Sequence, residues 1–542
     1  MNKKIIKVMK KTNYKLFSFS ILSLVLVLLT SCVDDMDITP NDPNSFLDED
    51  FYSQPGAYEQ AIAGVYGNLQ LTGLQGPGSS NITGLDAGTS QYGRGLMNLQ
   101  TFSTDEAIWS YENDPGIREI QRKTWSSLNP ILLGMFSRTM VSVAFANEFL
   151  RQSTDDLLNQ RNVPEAERPE IAQYRAEARF LRALAYYHLM DLFGKAPYYD
   201  ETIPVGSFRG EEMNRQEVFE FVEAELLDIM DDMAAPRNVD FGRADQGTAM
   251  MVLAKMYLNA EVYTGTPRYT EAMDYIEMLL GSGYSLANDY HNNFRGDNST
   301  NEATNEIIFG IPSNFENSRS FGPTTVMTNG GVGSVEGNSN DFGLFNPGWG
   351  GAIRLTPQFV EKFDGPEFEN DARNTIIGED RPLVITNMSN QSEGYVLVKY
   401  TNINSDGSNP EVDTFSNVAF PMFRLADVYL MYAEAHLRGG GGSIGEAVGL
   451  INELRLRAGG QTISEGDLNL DFILDERARE LHWESHRRQD LIRFGKFSGG
   501  QYIWQFKGGA ASGLPTSSIR NLYPIPSQSL STNQNLTQNP GY

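Results

Sequence analysis

A helical period that keeps returning along the chain most constrains what this sequence can fold into. Between 167 and 193, Ala176, Phe180, Leu181, Leu184, Leu189 and Leu192 recur on one side at helical spacing, and Gly194 and Pro197 stop the run. The same pattern predicts helices over 56–69 (Tyr58, Ile62, Val65, Tyr66, Leu69) and over 118–152 (Trp125, Leu128, Ile131, Leu132, Phe136, Val141, Phe145, Phe149). It returns at 215–233, 244–264, 268–281, 421–437, 443–457, 470–485 and 488–496. The pair at 244–281 turns around Gly265-Thr266-Pro267. Short strands are expected at 306–311 and 394–400. Two stretches rich in Gly, Ser and Asn, 72–104 and 312–355, read as long loops. The expected fold is mainly α: stacked helical hairpins of tetratricopeptide type, with long loops and a few short strands. Such stacking is structural and names no ligand.

Composition narrows the function classes. Over 542 residues the net charge is −26, which repels phosphate backbones and argues against nucleic acid as a partner. Aromatic residues make up 11% of the chain, enough for a core and against disorder. A single cysteine excludes an internal disulfide framework and a Cys-based zinc site.

That cysteine is informative by position. Lys3, Lys4, Lys7, Lys10, Lys11 and Lys15 precede an apolar run from Leu16 to Leu29, too short to span a bilayer comfortably. A basic flank, a short apolar core and small residues before a break describe a secretory signal. Leu29-Thr30-Ser31-Cys32 resembles a bacterial lipobox, which implies removal of residues 1–31 and acylation of Cys32, for example with palmitate. Residues 32–55 then read as a lipidated tether: Asp34, Asp35 and Asp37 follow the cysteine, and Pro40 and Pro43 resist helix. A lipid there anchors the chain without making it span the membrane.

Catalytic motifs are weak. Gly441-Gly442-Ser443-Ile444-Gly445 fits G-x-S-x-G, but a helix precedes it where a strand is required, and Glu446 makes Ser443 a helix cap. His482 and His486 lie four apart on an expected helix with Glu484 between them, the wrong register for H-E-x-x-H, so a buried or solvated pair is the simpler reading. No nucleophile, base and oxyanion hole assemble, and no enzyme is expected. The acidic chain can in principle hold calcium, yet no loop has ordered ligand spacing, so neither metal nor cofactor is assigned.

Loop aromatics carry more. Tyr92, Trp109, Tyr111, Phe315, Phe321, Phe342, Phe345 and Trp349 fall outside the strongest helical patterns. Taken singly, each is best explained by packing inward; as a group they make a binding face, since flat rings stack on the apolar faces of sugars while Arg, Asn and Asp hold hydroxyls.

Several segments resemble the SusD/RagB outer-membrane lipoproteins. They are Arg175-Ala176-Glu177-Ala178-Arg179-Phe180-Leu181-Arg182-Ala183-Leu184, Asp191-Leu192-Phe193-Gly194-Lys195-Ala196-Pro197 and Phe423-Arg424-Leu425-Ala426-Asp427. Ile451 to Ala458, Glu476 to Leu481, Arg487 to Gly495, Tyr523-Pro524-Ile525-Pro526 and Gln538 to Tyr542 extend the likeness over essentially all of the mature chain. Phe241-Gly242-Arg243-Ala244-Asp245, Thr104 to Tyr111 and Trp504 to Ala510 resemble the starch-binding branch of that family. The resemblance implies one SusD-like domain over 56–542, a helical half at 56–305 and a loop-rich half at 306–542. It also implies a non-enzymatic protein on the outer face of the outer membrane. Such a protein passes starch or another glycan (a β-glucan, a fructan) or a peptide nutrient to a SusC-like TonB-dependent transporter. Stacking rings are implied at Tyr111, Phe321 and Trp349, a hydroxyl-binding arginine at Arg94, and a polar contact at Asn113 or Asp114.

Overall fold

The computed structural model describes residues 48–204, 206, 209–331, 343, 349, 351–378, 380–409 and 414–542. Cys32, Leu16–Leu29, Phe342 and Phe345 lie outside the described residues. Contacts divide the chain into Met1–Ala57 and Tyr58–Tyr542. The first unit contributes a short helix, Asp48–Tyr52, and the second carries the rest.

The fold is mainly α. The principal helices are α1 (Ala57–Gln70), α2 (Tyr92–Gln100), α3 (Pro130–Gln152), α4 (Arg168–Phe193), α5 (Arg215–Ile229), α6 (Gln246–Leu258) and α7 (Tyr269–Leu280). They continue with α8 (Pro323–Gly330), α9 (Leu425–Leu437), α10 (Ile444–Arg457), α11 (Leu470–Leu481) and α12 (Arg487–Arg493). Successive helices pack in pairs: α3 on α4, α4 on α5, α6 on α7, and α9 on α10. This is the hairpin stacking the periodicity predicts. The longest helix, α4, ends at Gly194, whose φ of 75° suits a residue without Cβ. Asn214 and Asp245 cap α5 and α6, each in return donating its backbone N–H to the side chain of the third helical residue. Among the described residues no helix is long and apolar enough to cross a membrane.

Strands are few and paired in twos. β1 (Ile108–Trp109) pairs with β3 (Ile353–Arg354), and β2 (Ile307–Ile311) with β4 (Phe420–Arg424), both antiparallel. The expected strand at 394–400 narrows to Val396–Leu397, paired with Ile376–Ile377.

Further boundaries differ from expectation, among them the 244–264 helix, which breaks at Asn259 into α6 and Ala260–Thr264. The 72–104 stretch is not all loop, because it contains α2. Gly93 and Gly95 are there for close approach: a Cβ on Gly93 would lie 2.9 Å from Pro323 Cδ, and one on Gly95 2.8 Å from Met135 Sδ. Likewise 312–355 contains α8, buried along its length. The 118–152 helix is broken into Ile117–Arg122 and α3, with Asn129 capping and Pro130 at the first turn, and this leaves Trp125 in a buried turn. Residues 421–424 belong to β4, an apolar run whose period alone does not separate strand from helix. The 470–485 helix stops at Leu481, where Trp483 and Ser485 take left-handed φ values of 61° and 66°. His482 and His486 therefore sit on either side of a break. Both are buried, which holds each imidazole neutral with its pKa lowered.

Beneath α9 to α12 lies a lattice of buried ion pairs. Arg424 reaches Glu306 at 2.8 Å, Glu480 at 2.7 Å and Glu484 at 2.6 Å, all fully buried. Lys399 pairs with Glu484 at 2.7 Å, and Arg373 with Asp371 and Glu476 at 2.6 and 2.8 Å. Alongside, Arg477 bridges Asp427 and Asp490, and Arg493 holds Glu434.

Candidate ligand-binding site

The segment from Thr104 to Tyr111 brings Trp109 and Tyr111 to the wall of a cleft of about 700 Å³. Its anchor is Asp105, which takes a bidentate pair from Arg487 at 2.7 Å for each bond and a third bond from Tyr502. Burial works against the Asp105 charge, but Arg487 overcomes it and holds the carboxyl down at about 2. Next to it Glu106 is pushed up to about 8 by burial, with the Asp105 charge adding to the push against Arg487. Four residues beyond Asp105, Trp109 enters β1. The side chain of Gln121 clamps its backbone, accepting from the amide at 2.7 Å and donating to the carbonyl at 3.1 Å.

Trp109 is only 3% exposed, yet three of the expected site residues rest on it. Tyr111 stands edge-on to its ring at a centroid distance of 5.5 Å, and Trp349 edge-on at 6.1 Å. The Arg94 guanidinium lies over its face at 4.9 Å. The indole N–H donates to Asp114 at 2.8 Å. The end of α8 comes close to this ring: a Cβ on Gly330 would sit 3.1 Å from it.

The surrounding elements fix the remaining walls. Arg94 rides on α2, where Gln91 caps the helix, and its Nε donates to buried Asn98 at 3.1 Å. Burial lowers the Arg94 pKa to about 10, and the nearby Asp114 and Asp86 charges oppose that fall, so it stays cationic at neutral pH. The rim at 72–90 is tied to α3 by fully buried Arg138, which donates to the carbonyls of Ser90 and Thr72 at 2.6 and 2.8 Å and to Asn68 at 2.9 Å. Phe321 precedes α8 and packs on Phe415 at 5.2 Å. The Trp349 amide donates to the Asn329 carbonyl at the end of α8, at 2.8 Å.

The structure thus brings Arg94, Tyr111, Asp114, Phe321 and Trp349 to one cleft. Tyr111 is the most open of the rings at 42% exposure. Both polar candidates are exposed, but Asn113 does not line the cleft, whereas Asp114 does and accepts the bond from Trp109. Tyr92 is buried against His188, and Phe315 lies outside the cleft. Sequence reasoning missed Asp86, Thr89 and Asn98 as lining residues. The i, i+4 spacing of Arg94 and Asn98 was the available signal, hidden by reading that stretch as loop. Ser443 caps α10 by accepting from the Glu446 amide, so it is a structural serine. Among the described residues no group of His, Cys, Asp and Glu is placed to hold a metal ion.

Paired helices whose long loops build a recessed aromatic cleft define a class of helical scaffold proteins, and the comparisons narrow it. The SusD family model matches residues 364–542. The starch-binding protein SusD of Bacteroides thetaiotaomicron is 33% identical over 98% of this chain and 100% of that protein. Among solved structures, surface glycan-binding protein A from Bacteroides thetaiotaomicron superposes with a TM-score of 0.68 at 21% identity, covering 91% of this chain and 100% of that one. The same protein in complex with laminarihexaose gives 0.66 at 20%, covering 90% and 99%. The chain belongs to the SusD family. It is a non-catalytic protein.

Proposed function

We propose that the cleft binds an oligosaccharide, most closely an α-glucan of the starch type, and that the protein delivers it to a SusC-like TonB-dependent transporter while anchored in the outer membrane through lipid on Cys32. The observation that carries this reading is the convergence of Tyr111, Phe321 and Trp349 with Arg94 and Asp114 on one open cleft. A reading in which the rings serve only the core would scatter them. Rings give a sugar its apolar face, and the arginine and carboxylate give it a donor and an acceptor for hydroxyls. The relative at 33% identity is named for starch binding, which favours an α-glucan over other glycans. Each stacking ring contributes about 0.5–1.5 kcal/mol, so a few rings make a weak site, as hand-over requires.

Titration calorimetry of the purified protein with maltoheptaose tests the proposal, with laminarin and fructan oligosaccharides in parallel. Heat with maltoheptaose, and an affinity that falls in Tyr111→Ala and in Trp349→Ala, is the expected result. Heat with laminarin or fructan alone would replace the α-glucan, and silence with all three would remove the glycan reading.

A further inference from the structure

A second recess, of about 300 Å³, shares no lining residue with the aromatic cleft. It is built by the Phe241-Gly242-Arg243-Ala244-Asp245 motif, to which the cleft assigns no role. Gly242 takes a φ of 92°, and a Cβ there would meet Pro312 Cγ at 2.6 Å. Gly310 lets the Phe241 ring lie directly against β2. The floor is apolar, with Ile62, Leu69, Phe241 and Ile311.

The polar groups around this floor are unbalanced. Most donors are engaged: Arg243 gives Nε and Nη2 to fully buried Glu177, which neutralises its charge, the Gln70 amide binds the Pro312 carbonyl at 2.6 Å, the Tyr66 hydroxyl Glu177 at 2.7 Å and the Tyr174 hydroxyl Glu170 at 2.8 Å. The acceptors are open. Glu59 and Asp240 line the recess, are exposed, and their carboxylates make no hydrogen bond or ion pair among the described residues. With Arg243 paired to Glu177, the charges left unpaired among the described lining residues are Glu59 and Asp240, both negative. An apolar floor beneath two unpaired carboxylates complements a cation on an apolar stem.

We propose that this recess docks a lysine or arginine side chain of a protein partner, with its methylenes on Ile62 and Phe241 and its cation at Glu59 and Asp240. The chain's net charge of −26 draws a basic partner surface toward it. The proposal is independent of what the aromatic cleft binds.

Saturation-transfer NMR on the purified protein tests it with acetyl-arginine amide as probe and acetyl-norleucine amide as the neutral control. Transfer to the arginine methylenes is expected, weakened by added salt. Apparent affinity should fall about tenfold when Glu59→Gln and Asp240→Asn are combined. It should vanish in Ala63→Trp, which fills the recess from the exposed side of α1. All three positions are exposed, so these variants should keep the parent's unfolding midpoint. Equal transfer from the norleucine amide, transfer indifferent to the paired substitution, or no transfer from the arginine amide would each overturn the proposal.

Discussion

The ion-pair lattice under α9 to α12 and the aromatic cleft put side chains to opposite uses. In the lattice, Arg424, Glu480 and Glu484 are fully buried and satisfy one another. In the cleft, Tyr111 is left open, and Arg94 rests on an indole with Asn98 as its hydrogen-bond partner. The lattice holds three of the segments that resemble the family: Arg424, Asp427, Glu476, Glu480, Arg487, Asp490 and Arg493 all make buried pairs. Many residues that identify this chain are therefore structural, and those proposed to contact a ligand lie on turns and short helices. One pair joins the two regions, Asp105 with Arg487.

The comparison breaks first at Arg424. Arg424→Met takes one partner from each of three buried carboxylates, which keep Arg457, Arg373 and Lys399 between them, and should cost about 3–5 kcal/mol or prevent folding. Urea unfolding checks this; a loss under about 1 kcal/mol would mean the lattice is not what holds the region.

Next is pH. Glu106 is held at about 8 in the folded protein, above its ordinary value of 4.5. Folding therefore favours its protonated form, and stability from this group falls as pH rises from about 4.5 to 8. The whole effect is a few kcal/mol. In Glu106→Gln the slope across that window should flatten, as read from unfolding midpoints at pH 5 and pH 9. An unchanged slope would show that Glu106 is not held protonated beneath the cleft.

A smaller effect separates the regions in the other direction. Trp349→Ala should weaken ligand binding by about 0.5–1.5 kcal/mol while leaving the unfolding midpoint in place. Coupled losses would mean the ring serves the core. The smallest effect is at Asn113: Asn113→Ala should change affinity less than about twofold, whereas Asp114→Ala, which removes the Trp109 partner, should be clearly weaker.

How much the sequence revealed follows the same division. The helix α4 was legible because its period is long and Gly194 ends it. Strand β2 was legible as a short apolar run, but its partner β4 was not, because Phe420–Arg424 runs straight into the apolar pattern of α9. Helices α2 and α8 were hidden by glycines that serve contact with Pro323, Met135 and Trp109 rather than turning. For the candidate site, family resemblance named the rings and Arg94 that line one cleft, while periodicity alone left every ring with an equally good packing role. Trp109 shows why: one buried indole carries the arrangement of three others, and only coordinates distinguish support from contact.

The bond between Asp105 and Arg487 spans 382 positions of sequence. The cleft wall at Trp109 and Tyr111 is consequently among the last parts of the chain that can settle during synthesis. Until the segment carrying Arg487 has emerged, the strand bearing Trp109 lacks its anchor, and Tyr111 and Trp349 have no fixed platform. Closing so long a loop makes assembly of this region slow compared with the hairpins of the N-terminal half. Folding should therefore be ordered in time, with the helical pairs forming early and binding competence appearing only at the final step.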